Sequence, residues 1–151
     1  MTEKTTKRSF TRLVAAQIFY QFDFHEGKVS MAQLQENLLS DYFFDGEQKT
    51  GISCTKKISK SFLENLLTSL PLVKEEIDKK IVKSQVKQKE IEELPDMMRH
   101  ILRLALFELL YVKDSPIKAI INEYVDLAAS FYDDKKVASV NGILQKISDG
   151  I

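Results

Sequence analysis

The chain has 151 residues, 44% of them hydrophobic and 29% charged, and its 22 basic and 22 acidic side chains cancel to zero net charge. This is the composition of an ordinary globular protein, one domain or two small subdomains sharing a core, and zero net charge argues against indiscriminate binding to nucleic acid. A lone cysteine, Cys54, excludes an internal disulfide and fits a reducing, cytoplasmic setting; Met1 to Arg12 is polar and basic, unlike a secretory signal; and the most apolar run, Leu104 to Val112, is interrupted by Glu108 and too short to span a bilayer.

Five glycines and three prolines leave few breaks, and strand-type alternation is nearly absent, so the pattern predicts an all-α chain. The first helix is expected from about Ser9 to His25, with Leu13, Ala16, Tyr20 and Phe24 on one stripe and Ala15, Ile18, Phe19 and Phe22 on another; Gly27 ends it. A second starts near Ser30 as its cap and carries Met31, Leu34, Leu38 and Phe43-Phe44. Asp45-Gly46 opens a polar loop to about Thr55. Ile58, Phe62, Leu66 and Leu70, spaced by four, mark a third helix, and Pro71 separates it from a fourth with Val73, Ile77 and Ile81. Leu94-Pro95-Asp96 begins the next, which from Ile101 to Val112 is apolar nearly all round and is expected to be the central buried helix. Asp114-Ser115-Pro116 is a boundary, with Ser115 as N-cap and Pro116 at the first helical position. Ile117, Ile120, Ile121, Tyr124, Ala128 and Phe131 form one apolar stripe, and a last helix from about Asp134 to Ile147 turns Val137, Val140, Leu144 and Ile147 inward. Six or seven helices with short connections make a compact bundle.

Few residues can carry chemistry. His25 and His100 stand apart from other metal-type ligands, Cys54 has no nearby histidine, and no Gly-rich phosphate loop or Gly-x-Ser-x-Gly occurs, so neither an enzyme nor a cofactor is expected. Arg103 and Glu108, the charges of the central helix, sit about 140° apart around its axis and cannot pair with each other. Each should meet a polar group of another element, since an unpaired buried charge is costly. Gly142, in a helix-period segment, costs about 1 kcal/mol relative to Ala, which points to close packing around Asn141-Gly142. Residues 56 to 89 hold nine lysines against four acids, read here as a solvated face. The N-terminal Lys4, Lys7, Arg8 and Arg12 approach and enter the first helix, an arrangement suited to gripping phosphates, with Phe10 and Tyr20 as stacking faces for single-stranded RNA.

Four ordered segments carry a family resemblance. They are Arg12-Leu-Val-Ala-Ala-Gln-Ile-Phe-Tyr-Gln21, Ile101-Leu-Arg-Leu-Ala-Leu-Phe-Glu-Leu109, Pro116-Ile-Lys-Ala-Ile-Ile-Asn-Glu123 and Ser139-Val-Asn-Gly-Ile-Leu144. Together they resemble the NusB family of bacterial transcription antitermination factors; residues from about Val29 to Glu93 match only in helical pattern. The resemblance implies one domain of two small helical subdomains, roughly residues 1–90 and 91–151. It implies a non-enzymatic adaptor that binds the single-stranded boxA element of nascent ribosomal RNA transcripts together with ribosomal protein NusE, and that joins other Nus factors on RNA polymerase. Lys4, Lys7, Arg8, Arg12, Lys118, Lys135 and Lys136 would then face RNA, and Tyr20, Phe24 and the neighbourhood of Met98 the protein partner. Arg103, Glu108, Asn122, Glu123, Asn141 and Gly142 would serve as a fold signature, Asn122-Glu123 equally as a clamp or a partner contact.

Three positions depart from the family habit: Ala129 where lysine is usual, Ser139 where an aromatic precedes V-N-G, and Met98 in place of an acid. The first two bear on RNA contacts near the last helix and favour an alternative, a protein–protein adaptor that has lost RNA binding. An accessory domain of an RNA methyltransferase is a third reading, for which the chain leaves no room for a catalytic domain. The sequence leaves open whether the free protein is a monomer or a homodimer.

Overall fold

The computed structural model of the chain describes residues 3–38 and 58–151, the side chains of residues 3–6 excepted. The expected polar loop with Cys54, the pair Phe43-Phe44 and the Lys4 side chain therefore lie outside the described residues. All regular structure among the described residues is helical, with no strand, as the periodicity requires. The chain divides into two compact units, residues 1–68 and 69–151.

In the first unit, helix α1 spans Glu3–Phe24. It begins ahead of Ser9 because nothing from Lys4 to Arg8 breaks a helix; the residues are moderate formers without Gly or Pro. Val14, Ala15, Ala16, Ile18 and Phe19 are buried, whereas Phe24 at the far end of the helix is 72% exposed. The helix stops where Glu26 and Gly27 both take left-handed backbone, φ 55° and 75°, a conformation that glycine adopts without steric cost. Helix α2, residues 31–38, is capped as expected: the Ser30 hydroxyl accepts the N–H of Gln33 at 3.1 Å. Helix α3 spans Lys60–Ser69, and Ile58, Phe62 and Leu66 of the four-residue series are buried with it.

The second unit opens with the short 3-10 turn Leu70–Val73, where Pro71 sits in the first turn, and passes directly into helix α4, Lys74–Lys83. Ile77 and Ile81 face inward and pack α4 on helix α5, Asp96–Phe107, which explains why α4 belongs here and not with the first unit. All of α5 from His100 to Phe107 is buried, and it continues into a π-helical turn, Glu108–Val112, closed by the N–H of Lys113 on the carbonyl of Glu108 at 2.9 Å. Helix α6 runs Ile117–Ala129 and helix α7 Asp134–Asp149, and both pack on α5.

One cap differs from expectation. Pro116, with extended ψ of 143°, is itself the N-cap of α6, and the Ser115 hydroxyl makes no cap bond, because Pro116 with its extended backbone occupies the half-in position. Asp133 caps α7 by accepting the Lys136 N–H at 3.1 Å. Ile117 and Phe131, the ends of the α6 stripe, are about 40% exposed.

Candidate nucleic-acid interface

On the first unit, the basic end of α1 is organised by a chain of hydrogen bonds that starts at Thr11. Its hydroxyl donates to the Lys7 carbonyl at 2.6 Å and accepts the Ser59 N–H at 2.9 Å. Ser59 in turn caps α3 through the Phe62 N–H at 3.4 Å. This fixes the Phe62 ring against α1, where Arg8 lies with its guanidinium carbon 4.6 Å from the ring centroid and Arg12 at 5.5 Å. Nothing in the sequence singles out Phe62 or Thr11, since each stands in a pattern that reads only as helix packing and the Thr11–Ser59 bond that links their helices spans 48 residues.

The four basic residues are therefore not equivalent. Lys7 and Arg8 are half-buried and reach the surface, while Arg12, against the same ring, is only 4% exposed. Arg12 thus departs from its expected place among surface phosphate contacts: one turn further along α1, its side chain points into the packed face. Tyr20 is half-buried and Phe24 stands free in solvent, its ring edge-on to His25 at 5.4 Å.

On the second unit, Lys118, Lys135 and Lys136 are exposed, as is Asn122, and Glu123 is half-buried. Lys136 lies 6.0 Å from the Tyr132 ring, and the Tyr132 hydroxyl accepts the Met98 N–H at 3.1 Å. Met98 itself is 4% exposed, so its side chain belongs to the core and not to a partner surface. It follows from its position in α5, where the first apolar turn already faces inward.

The charges of the central helix are anchored. Arg103 grips Asp78 of α4 with two bonds, 2.7 and 3.0 Å, a fork on a carboxylate that is itself largely buried. Glu108 accepts from the Tyr124 hydroxyl, both groups being fully buried. His100 is held neutral: burial, then the positive Arg103 and Arg99, lower its pKa from 6.5 to about 3. Gly142 overturns the packing explanation of the Asn-Gly pair. It is exposed on α7, and a Cβ built there meets nothing within 4 Å.

Among the described residues no group of three or more His, Cys, Asp or Glu is placed to hold a metal, and no helix is long and apolar enough to cross a membrane. The NusB family model matches residues 9–149, nearly the whole chain. The chain belongs to the NusB family. Curated relatives include the transcription antitermination proteins NusB of Rickettsia bellii, 31% identical over 97% of this chain and 93% of that protein, and of Rickettsia typhi, 29% identical over 97% and 94%. Among solved structures, NusB of T. maritima superposes with a TM-score of 0.73 at 25% identity, covering 94% of this chain and 90% of that one. A crystal structure of NusB and NusE with double-stranded RNA matches in fold with a TM-score of 0.73 at 23% identity over 96% of this chain and 98% of that one.

Proposed function

We propose that this NusB-family chain is a transcription antitermination factor that acts as a non-catalytic adaptor between RNA and protein. It pairs with ribosomal protein NusE, binds the boxA element of nascent ribosomal RNA transcripts, and joins the antitermination complex on RNA polymerase. The observation that carries this reading is the match to the family over residues 9–149. Lys7 and Arg8 on the Phe62 platform support the RNA half: two cations at a surface, one of them pre-ordered by a ring, suit a phosphate backbone. Exposed Phe24 beside half-buried Tyr20 supports the protein half, an aromatic anchor of the kind that dominates interface energetics. The solved NusB–NusE–RNA assembly shares this fold.

The physical mechanism is bivalency: two moderate sites, one for RNA and one for protein, raise each other's effective concentration. Purified chain and its own organism's NusE should co-elute on gel filtration at micromolar concentration, and Phe24→Ser should weaken the complex. Fluorescence anisotropy with a boxA-like single strand should show tighter binding once NusE is added, because coupling between two ligands is reciprocal. Absence of a complex in both assays would refute the proposal; a NusE complex without RNA affinity would select the protein–protein adaptor instead.

A further inference from the structure

A groove of about 490 Å³ opens in the second unit where the C-terminal ends of α4 and α7 meet. Lys80 and Lys83 stand in the last turn of α4 and Lys146 in the last turn of α7, so three lysines from two helices line it. Leu110 and Ile147 supply an apolar floor, and no acidic side chain lines it. Among the described residues none of the three lysines is held in an ion pair.

The wall after α4 is built with care. Gln85 is buried and its side-chain amide donates to the Lys89 carbonyl at 2.9 Å, pinning the turn. Within that turn Gln88 takes a left-handed φ of 45° and lines the groove. A non-glycine residue there is strained and persists only where its surroundings hold it. Lysines near helix C-termini also offset the helix dipoles, and that role explains one cation at each end. It explains neither the concavity, nor the apolar floor, nor the lining of one groove by lysines from both helices.

We propose that this groove is a second phosphate-binding site that takes the backbone of single-stranded RNA, alongside the N-terminal site of the proposed function. Lysine ammonium groups bind phosphate as point charges without demanding one geometry, which suits a backbone that carries its charges at variable positions. The floor of Leu110 and Ile147 gives a ribose or base apolar contact without base-edge readout, so the site contributes affinity with little sequence preference. The inference rests on the RNA-binding reading and adds a location to it.

The test uses the full chain and a fluorescent oligo-uridine. The log–log dependence of affinity on salt is measured for the parent, for Lys80→Gln/Lys83→Gln/Lys146→Gln, and for Lys7→Gln/Arg8→Gln. Each lost phosphate contact flattens the slope by about 0.7, so the groove variant should lose about 0.7 to 1.4 with its circular dichroism unchanged. A groove variant with the parent's slope, while the Lys7/Arg8 variant loses affinity, overturns this proposal and leaves the N-terminal reading standing. The reverse pattern keeps the groove and removes the N-terminal site; no RNA affinity in the parent removes both. Amide shifts of Ser84, Gln88 and Gly150 give a second readout, with Lys83→Gln alone if the triple variant misfolds. RNA should move these amides. Movement by inorganic phosphate or a poly-glutamate peptide but not by RNA would assign the groove to small anions or acidic protein, against the proposal.

Discussion

Thr11 and Ser59 are joined across 48 residues by a hydrogen bond of 2.9 Å, the Thr11 hydroxyl accepting a main-chain N–H while it donates to the Lys7 carbonyl. Because Ser59 also caps α3, this hydroxyl sets where Phe62 lies under Arg8. Thr11→Val keeps the shape and removes the acceptor, leaving a part-buried N–H unsatisfied. Chemical denaturation should register a loss of about 1–3 kcal/mol, with Thr11→Ser much closer to the parent.

The pair Arg103–Asp78 ties α5 to α4. Asp78→Ala strands a buried guanidinium and should cost about 3 kcal/mol, whereas Asp78→Leu combined with Arg103→Met should recover most of the loss. A double-mutant cycle by urea unfolding measures the coupling; additive single costs would contradict it.

His100 makes stability fall with acid. Its folded pKa is near 3 against 6.5 unfolded, so the unfolded chain takes up the proton first. Stability is unaffected above about pH 6.5 and declines as pH drops from there toward 3. At pH 5 the His100 contribution should amount to a loss of about 2 kcal/mol. Unfolding of the parent and of His100→Gln at pH 7.5 and pH 5 isolates it: the difference between the two proteins should narrow at the lower pH.

Gly142→Ala should stabilise the chain by about 0.5–1 kcal/mol, because the site is helical, exposed and open. A rise in Tm is expected. A fall would show that something crowds the position after all.

Arg8 and Arg12 separate surface from core. Arg8→Gln should flatten the salt dependence of RNA affinity by about 0.7 with little change in Tm, whereas Arg12→Gln should lower Tm and leave the slope of the folded protein unchanged. Equal slopes for both variants and the parent would remove Arg8 from the RNA contact.

By itself the sequence determined the helical class, the succession of helices from α1 to α7 and most of the core, because a 3.6-residue apolar period and the proline and glycine breaks are local signals. It also carried the four ordered segments by which the family is recognised. Which charges are buried, and on what, was decided only by tertiary structure. Arg8 and Arg12 are one turn apart, alike in sequence and both set against the Phe62 ring, yet one reaches solvent and the other is buried; the ring's position depends on the Thr11–Ser59 bond. Met98 reads as a surface contact in the family pattern and lies in the core because α5 is enclosed from its first turn. Asn141-Gly142 reads as a packing site and faces open space. The partner of Arg103 and the convergence of Lys146 with Lys80 and Lys83 are contacts between distant helices, which the periodicity of one helix cannot encode.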